Sequence, residues 1–197
     1  VFVCAHGDLF HESVPDEWID RVFAVMALAP QHTFQVLTKR ATRMSRYSND
    51  PNTPKRVAAV IIGMAMRSEI SGGQTLAPLG SRLHESDPEF VKWPIQNIWN
   101  GVSTEDQRRA DERIPDLLAT PAAVRWVSAE PLLGGIDFTG LWGERRIYRG
   151  DTASGYIDFE PCLDWIVVGG ESGRGARPMH PAWARSIRDQ CADAGPP

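Results

Sequence analysis

Short apolar runs, each ending in a polar cluster and followed by a stretch whose apolar residues recur every three or four positions, repeat along this chain of 197 residues. The runs are Phe2-Val3, His32 to Leu37, Ile98 to Val102, Val124 to Val127 and Asp164 to Val168. Near-continuous apolar runs of this length read as strands covered on both faces, and their alternation with helical periodicity predicts a parallel sheet with right-handed crossovers. Between them, Pro15-Asp16-Glu17 opens a helix, with proline in the first turn and acids at the positive end of the dipole. Its stripe of Trp18, Ile19, Val22, Phe23 and Met26 is expected to be core. A short helix is predicted around Ala41 to Tyr47. Asn52-Thr53-Pro54 reads as the cap and first turn of another helix over Lys55 to Met66, although Val57 to Ile62 also fits a strand. Ser103 and Thr104 are expected to cap a helix from Glu105 to Arg113, with Pro115 kinking or restarting it before Leu117 and Leu118. The final helix carries Trp183, Ile187 and Cys191 on one face.

Two stretches break the pattern. An irregular excursion covers about 67–97, where Gly72 to Pro94 is rich in glycine, serine and proline. An insertion covers about 134–163, where Arg146 to Tyr148 and Tyr156 to Phe159 flank a polar centre like the arms of a hairpin. The whole chain, 1–197, reads as one α/β domain. Polar or charged residues follow all five strands, whereas an open doubly wound sheet concentrates its site at one switch point, so the expected fold is a partial parallel (β/α) barrel of the TIM-barrel type. A chain that opens on the strand Val1 to Cys4 and closes a helix at Gly195 before two prolines further predicts a fragment lacking the barrel's first strand and last unit.

Composition narrows the function classes. A net charge of -4 provides no field that would hold a polyanion over the whole surface, so nucleic-acid binding would need the local patch Lys39, Arg40, Arg43 and Arg46. No apolar stretch approaches the roughly 18 residues of a membrane helix. Cys4, Cys162 and Cys191 are odd in number, distant and without a CxxC pair, which predicts a reducing, cytoplasmic setting.

Candidate chemistry sits where the strands run out. Gly169-Gly170-Glu171-Ser172-Gly173 lets backbone N–H groups approach a ligand, and Arg177 could clamp a carboxylate or phosphate. The segment is neither a P-loop nor GxGxxG. A tight turn with solvated charges is its structural alternative. Lys39 and Arg40 suit an anion or a solvated helix start. Glu130, closing an apolar strand before Pro131, suits a ribose hydroxyl, an amino group or a metal, or else a salt bridge to Lys39 or Arg40. His6, Asp8, His11 and Glu12 do not match a zinc pattern. No nucleophile-elbow signature is present.

Five ordered blocks carry a resemblance over nearly the whole chain: Asp8-Leu-Phe-His11-Glu12, Val36-Leu-Thr-Lys39-Arg40, Gly101-Val-Ser103-Thr-Glu105, Glu130-Pro-Leu-Leu-Gly134 and Val168-Gly169-Gly170-Glu171-Ser172-Gly173 with Ala176-Arg177. In these the chain resembles the phage-associated family named for gene products thirty-seven and sixty-eight. Its full-length members resemble radical S-adenosylmethionine (SAM) enzymes, in which a three-cysteine motif ahead of the barrel holds a [4Fe-4S] cluster. That motif is absent from this chain, so its cysteines are expected upstream and no metal ligand is assigned here. The resemblance implies that SAM lies across the strand ends and is reduced to a deoxyadenosyl radical. It also implies an unknown substrate, nucleic acid or protein, and a three-Cys-motif partner protein. Asp8, Lys39, Arg40, Ser103, Glu105, Glu130, Gly169, Gly170, Glu171, Ser172 and Arg177 are the residues it places against cofactor or substrate. Two other classes stay open: a nucleic-acid-binding barrel module without catalysis, and a metal-independent barrel enzyme acting on a phosphorylated small molecule.

Overall fold

The computed structural model describes residues 1–70, 91–143 and 162–194. Five strands form one parallel sheet: β1 (Phe2–Val3), β2 (Phe34–Thr38), β3 (Ile98–Ser103), β4 (Val124–Ala129) and β5 (Trp165–Val168). Their spatial order is their order in sequence, β1-β2-β3-β4-β5. A doubly wound sheet reverses strand order at a switch point. Here there is no reversal, an order compatible with part of an α/β barrel wall.

The helices are α1 (Asp16–Ala27), α2 (Ala41–Asn49), α3 (Thr53–Ile70), α4 (Gln107–Leu118) and α5 (Pro181–Asp193). The pleat divides the sheet residues between two faces. Val3, Phe34, Val36, Ile98, Val102, Val127, Ala129, Ile166 and Val168 share one face through the strand register and join a single hydrophobic core with Ile19, Phe23, Met44, Val57, Ile114 and Ile187 of the helices. The other face carries an aromatic cluster. Trp126 packs edge-on against Phe2 at 6.1 Å between ring centroids and tilted against Trp165 at 5.7 Å, and Trp165 meets Trp99 at 5.8 Å. Phe2 and Trp126 stand three strand spacings apart, about 14 Å on a flat sheet. They touch because the indole lies across Gly101, whose absent side chain leaves the room: a Cβ there would come within 2.5 Å of Trp126 Cε2 and Nε1.

Several expectations are corrected. Trp18 is 58% exposed, whereas Ile19, Phe23 and Met26 are buried. Trp18 lies at the lateral edge of the stripe, one heptad before the likewise exposed Val25, while Ile19 in the same turn faces the core. Asp20, on the covered side, is 3% exposed and accepts from the Tyr47 hydroxyl (2.7 Å) and from Arg56 Nε (3.0 Å), which ties α1 to α2 and α3. The helix expected over Lys55 to Met66 does form, with Val57 to Ile62 helical within α3, and the Thr53 hydroxyl donates to the Tyr47 carbonyl. The cap of α4 is Asp106, which accepts from Arg109 N, not Ser103 or Thr104. Pro115 neither breaks nor restarts that helix: it lies on the exposed side, where the Asp111 carbonyl that it leaves without a donor can be hydrated. Of the excursion, 67–70 belong to α3 and 71–90 lie outside the described residues. The proposed hairpin arms at 146–148 and 156–159 also lie outside them. Among the described residues no helix is long and apolar enough to cross a membrane.

Candidate functional site at the strand ends

Parallel strands deliver their last residues to one edge of the sheet, so the polar clusters read from the sequence converge there. Hydrogen bonding then sorts them into two groups. Asp8, in the loop after β1, accepts from Phe10 N (2.9 Å), Thr38 Oγ1 (2.7 Å), Lys39 N (3.0 Å) and Arg40 Nη1 (3.1 Å). Burial works to raise its carboxyl, but these four donors outweigh burial and hold it below its ordinary 3.8. A carboxylate so engaged has little capacity left for a ligand. Asp8 is a buckle between the first loop and the end of β2.

Glu105 is engaged in the same way. Lys39 Nζ lies 2.5 Å from Oε1 and Arg113 Nη1 lies 3.0 Å from Oε2, while Arg113 also donates to the Ser103 carbonyl at 2.6 Å. Burial pushes the Glu105 carboxyl up, and Lys39 and Arg113 more than reverse it. Glu171 and Arg177 close the glycine-rich loop on itself: Arg177 Nε and Nη2 form a two-pronged pair with the carboxylate at 2.8 and 2.9 Å, and Arg177 N adds a third bond at 2.8 Å. Gly173 and Gly175, with φ of +98° and +81°, allow the chain to return within six residues. The guanidinium and the backbone N–H hold the Glu171 carboxyl down to about 2. The loop is therefore an ion-latched turn, in which Arg177 serves Glu171 in place of an external anion.

The remaining residues retain free capacity, and they lie on three neighbouring strands. Ser103 and Ser128 are register partners on β3 and β4 and point to the face of the tryptophans. Glu130 follows β4. The Ser128 hydroxyl lies 3.4 Å from Glu130 Oε2, and the other carboxylate oxygen occupies the space where a Cβ on Gly169 would stand. A side chain at position 169 would therefore make the Glu130 carboxylate shift from this place. Gly170 is not required sterically, since an added Cβ would make only an ordinary 3.5 Å contact with Met179. The expected salt bridge from Glu130 to Lys39 or Arg40 does not form, because those cations serve Glu105, Asp8 and Glu12. Among the described residues Glu130 takes no ion pair. Its backbone is rigidly placed: Leu132 N donates to the Gly169 carbonyl (2.9 Å), Leu133 N to the Glu105 carbonyl (2.8 Å) and Gly169 N to the Ala129 carbonyl (3.2 Å). Ser172 is exposed at the rim.

Ser128 and Arg113 were not singled out from the sequence. Ser128 could have been found from its equivalence to Ser103, each being the polar residue that ends an apolar strand. Arg113 gave no signal, because its partner Glu105 precedes the helix that carries it. The cluster implied by the family resemblance finds no ligands here: Cys4, Cys162 and Cys191 are free thiols, and no group of three or more His, Cys, Asp or Glu among the described residues is placed to hold a metal ion. The polar groups that remain at the strand ends are Ser103, Ser128 and Glu130, with the Ser128 hydroxyl donating to Glu130 and Gly169 leaving space beside the carboxylate.

Comparison with curated proteins and with solved structures returns no match. A family model described as "Protein of unknown function (DUF5131)" matches residues 1–197. The strand-end arrangement described above is thus that of a member of the DUF5131 family, to which this chain belongs.

Proposed function

We propose that the chain is the ligand-facing wall of a radical-SAM-like barrel enzyme, which binds SAM and its substrate at the C-terminal ends of the strands. The observation that carries the reading is the row Ser103, Ser128 and Glu130. Three polar groups on adjacent parallel strand ends share one face, and one is a carboxylate that takes no ion pair among the described residues and lies beside Gly169. Polar side chains gathered at the C-terminal ends of parallel barrel strands are where such folds build their ligand sites. On this reading the aromatic cluster of Phe2, Trp99, Trp126 and Trp165 is the packed interior layer beneath the site.

Bound SAM and its cluster would supply radical chemistry. This chain's residues bind and orient: Glu130 and the two serines take hydrogen-bond donors of the ligand, Gly169 keeps the backbone close, and the latched loop from Glu171 to Arg177 fixes the wall. The cluster ligands belong, on this reading, to the three-cysteine segment that the family resemblance places ahead of the barrel. The phage setting, a nucleic-acid or protein substrate, a three-Cys-motif partner and a cytoplasmic location rest on the same resemblance.

A nucleic-acid-binding role is supported less well. The groove of about 750 Å³ beside α2 and α4 is lined by seven cations, but Lys39, Arg40, Arg43, Arg56, Arg109 and Arg113 are all in ion pairs, which among the described residues leaves Arg46. A phosphorylated small molecule meets the same obstacle at the strand ends. The test is anaerobic iron–sulfur reconstitution of the whole encoded protein, followed by assay for reductive cleavage of SAM to 5'-deoxyadenosine. Cluster absorbance with cleavage is expected; a folded protein with neither refutes the reading.

A further inference from the structure

Three donors of one residue converge on the Glu171 carboxylate. Arg177 N and Nε each reach Oε2 at 2.8 Å, and Nη2 reaches Oε1 at 2.9 Å. This is the geometry in which a guanidinium takes a carboxylate or phosphate from solution, filled here by an acid of the same loop. The pair lies outside the packed core: the Arg177 side chain is 59% exposed, and residues 172–178 are all exposed. Between the partners, Gly173 and Gly175 adopt the left-handed region, and among the described residues the one backbone bond within the span runs from Ala176 N to the Gly173 carbonyl at 3.3 Å. The neck of the loop is held separately, by Gly169 N on the Ala129 carbonyl (3.2 Å) and by His180, which caps α5 by accepting from Ala182 N (3.2 Å). Opening the latch therefore leaves sheet and helix in place.

An exposed ion pair is a weak fastening. Tethered over so short a span, Glu171 competes with a diffusing anion at an effective concentration on the order of millimolar. A monocarboxylate gains nothing by replacing it, since it would make the same three bonds. A dianion gains a second cation. Arg174 stands three residues before Arg177 in the same exposed span, and among the described residues its side chain takes no ion pair or hydrogen bond. A phosphate, with three oxygens to share, accepts from both guanidinium groups at once. We propose that Glu171 is an exchangeable stand-in for the phosphate group of a ligand, which displaces it from Arg177, recruits Arg174 and so unlatches the loop. This goes beyond the SAM reading and does not depend on it, because SAM carries no phosphate.

The test is titration of the whole protein, isotope-labelled at arginine, with inorganic phosphate and with acetate at neutral pH and constant ionic strength, read by NMR at the Nε–H groups of Arg174 and Arg177. Phosphate should move both resonances together and saturably, with an affinity at least about ten-fold above that of acetate. Glu171→Gln removes the competing charge and keeps the shape, so it should tighten phosphate by at least about five-fold, with an unchanged fold by circular dichroism. Arg174→Met should bring phosphate down to the level of acetate, and Arg177→Met should abolish saturation. Unchanged phosphate affinity in Glu171→Gln, or no saturable movement of Arg177 in either wild type or that variant, overturns the proposal. Neither result touches SAM, so the cofactor reading would stand.

Discussion

Gly101→Ala tests the packing of the aromatic face most sharply. The new methyl would lie 2.5 Å from Trp126 Cε2 and Nε1 and 2.7 Å from Cδ2, against an ordinary carbon–carbon contact of about 3.5–4.0 Å. The indole must therefore retreat by about 1 Å. Phe2 and Trp165 flank it and Nε1 donates to the Trp99 carbonyl at 3.4 Å, so a retreat disturbs all three contacts. Overpacking of this kind costs about 1–3 kcal/mol, and a central value of about 2 kcal/mol lowers the melting temperature by about 4–8 °C for a domain of this size. Urea denaturation followed by tryptophan fluorescence measures it. The same substitution made in Trp126→Val should cost less than about 0.5 kcal/mol, because the clash has gone. A Gly101→Ala protein as stable as wild type, or an equal cost in both backgrounds, would refute the placement of the indole.

Asp20→Ala should destabilise by about 2–4 kcal/mol in the same assay, since it leaves the buried Tyr47 hydroxyl without its acceptor while Arg56 keeps Asp50; a loss under about 0.5 kcal/mol would show that the network is incidental. Asp8 has a folded pKa below its unfolded value, so its contribution is present above the unfolded pKa and is lost as pH falls through the folded one. Asp8→Asn should therefore be less stable than wild type at pH 7, with the gap closing in acid below the ordinary 3.8; a constant gap across that window contradicts the assignment. For the latch, carboxyl-detected NMR titration should find Glu171 near 2, and Arg177→Ala should return it to the usual carboxylate range. An unmoved Glu171 would show that the pair does not form in solution.

Much of the sheet was legible because its strands carry their burial in sequence: Phe34, Val36, Ile98, Val102, Val127 and Val168 are apolar on the core side whatever packs against them. The concave aromatic layer was less so. Trp99, Trp126 and Trp165 announce burial, but only the register sets them side by side across Gly101. Helix periodicity found the stripe of α1 and misjudged its lateral edge at Trp18, because how wide a stripe its neighbours cover is not written in the periodicity. Asp20 escaped notice for the complementary reason: an acid beside an apolar stripe reads as solvated until Tyr47 and Arg56 are brought to it from 27 and 36 residues away. At the strand ends, residue type and position located the polar clusters, since every parallel strand ends at that edge. Which charges were engaged and which were free depended on pairs such as Lys39 with Glu105, fixed only by the folded geometry.

That distinction is the centre of the account, and one comparison probes it directly: calorimetric binding of SAM to the whole protein, for wild type, Glu130→Gln and Glu171→Gln, each checked for an unchanged fold by circular dichroism. The account predicts that Glu130→Gln weakens binding by at least about ten-fold, whereas Glu171→Gln, which alters an internally latched carboxylate, changes it by less than about three-fold. Wild-type affinity in Glu130→Gln, with the loss appearing instead in Glu171→Gln, would contradict it.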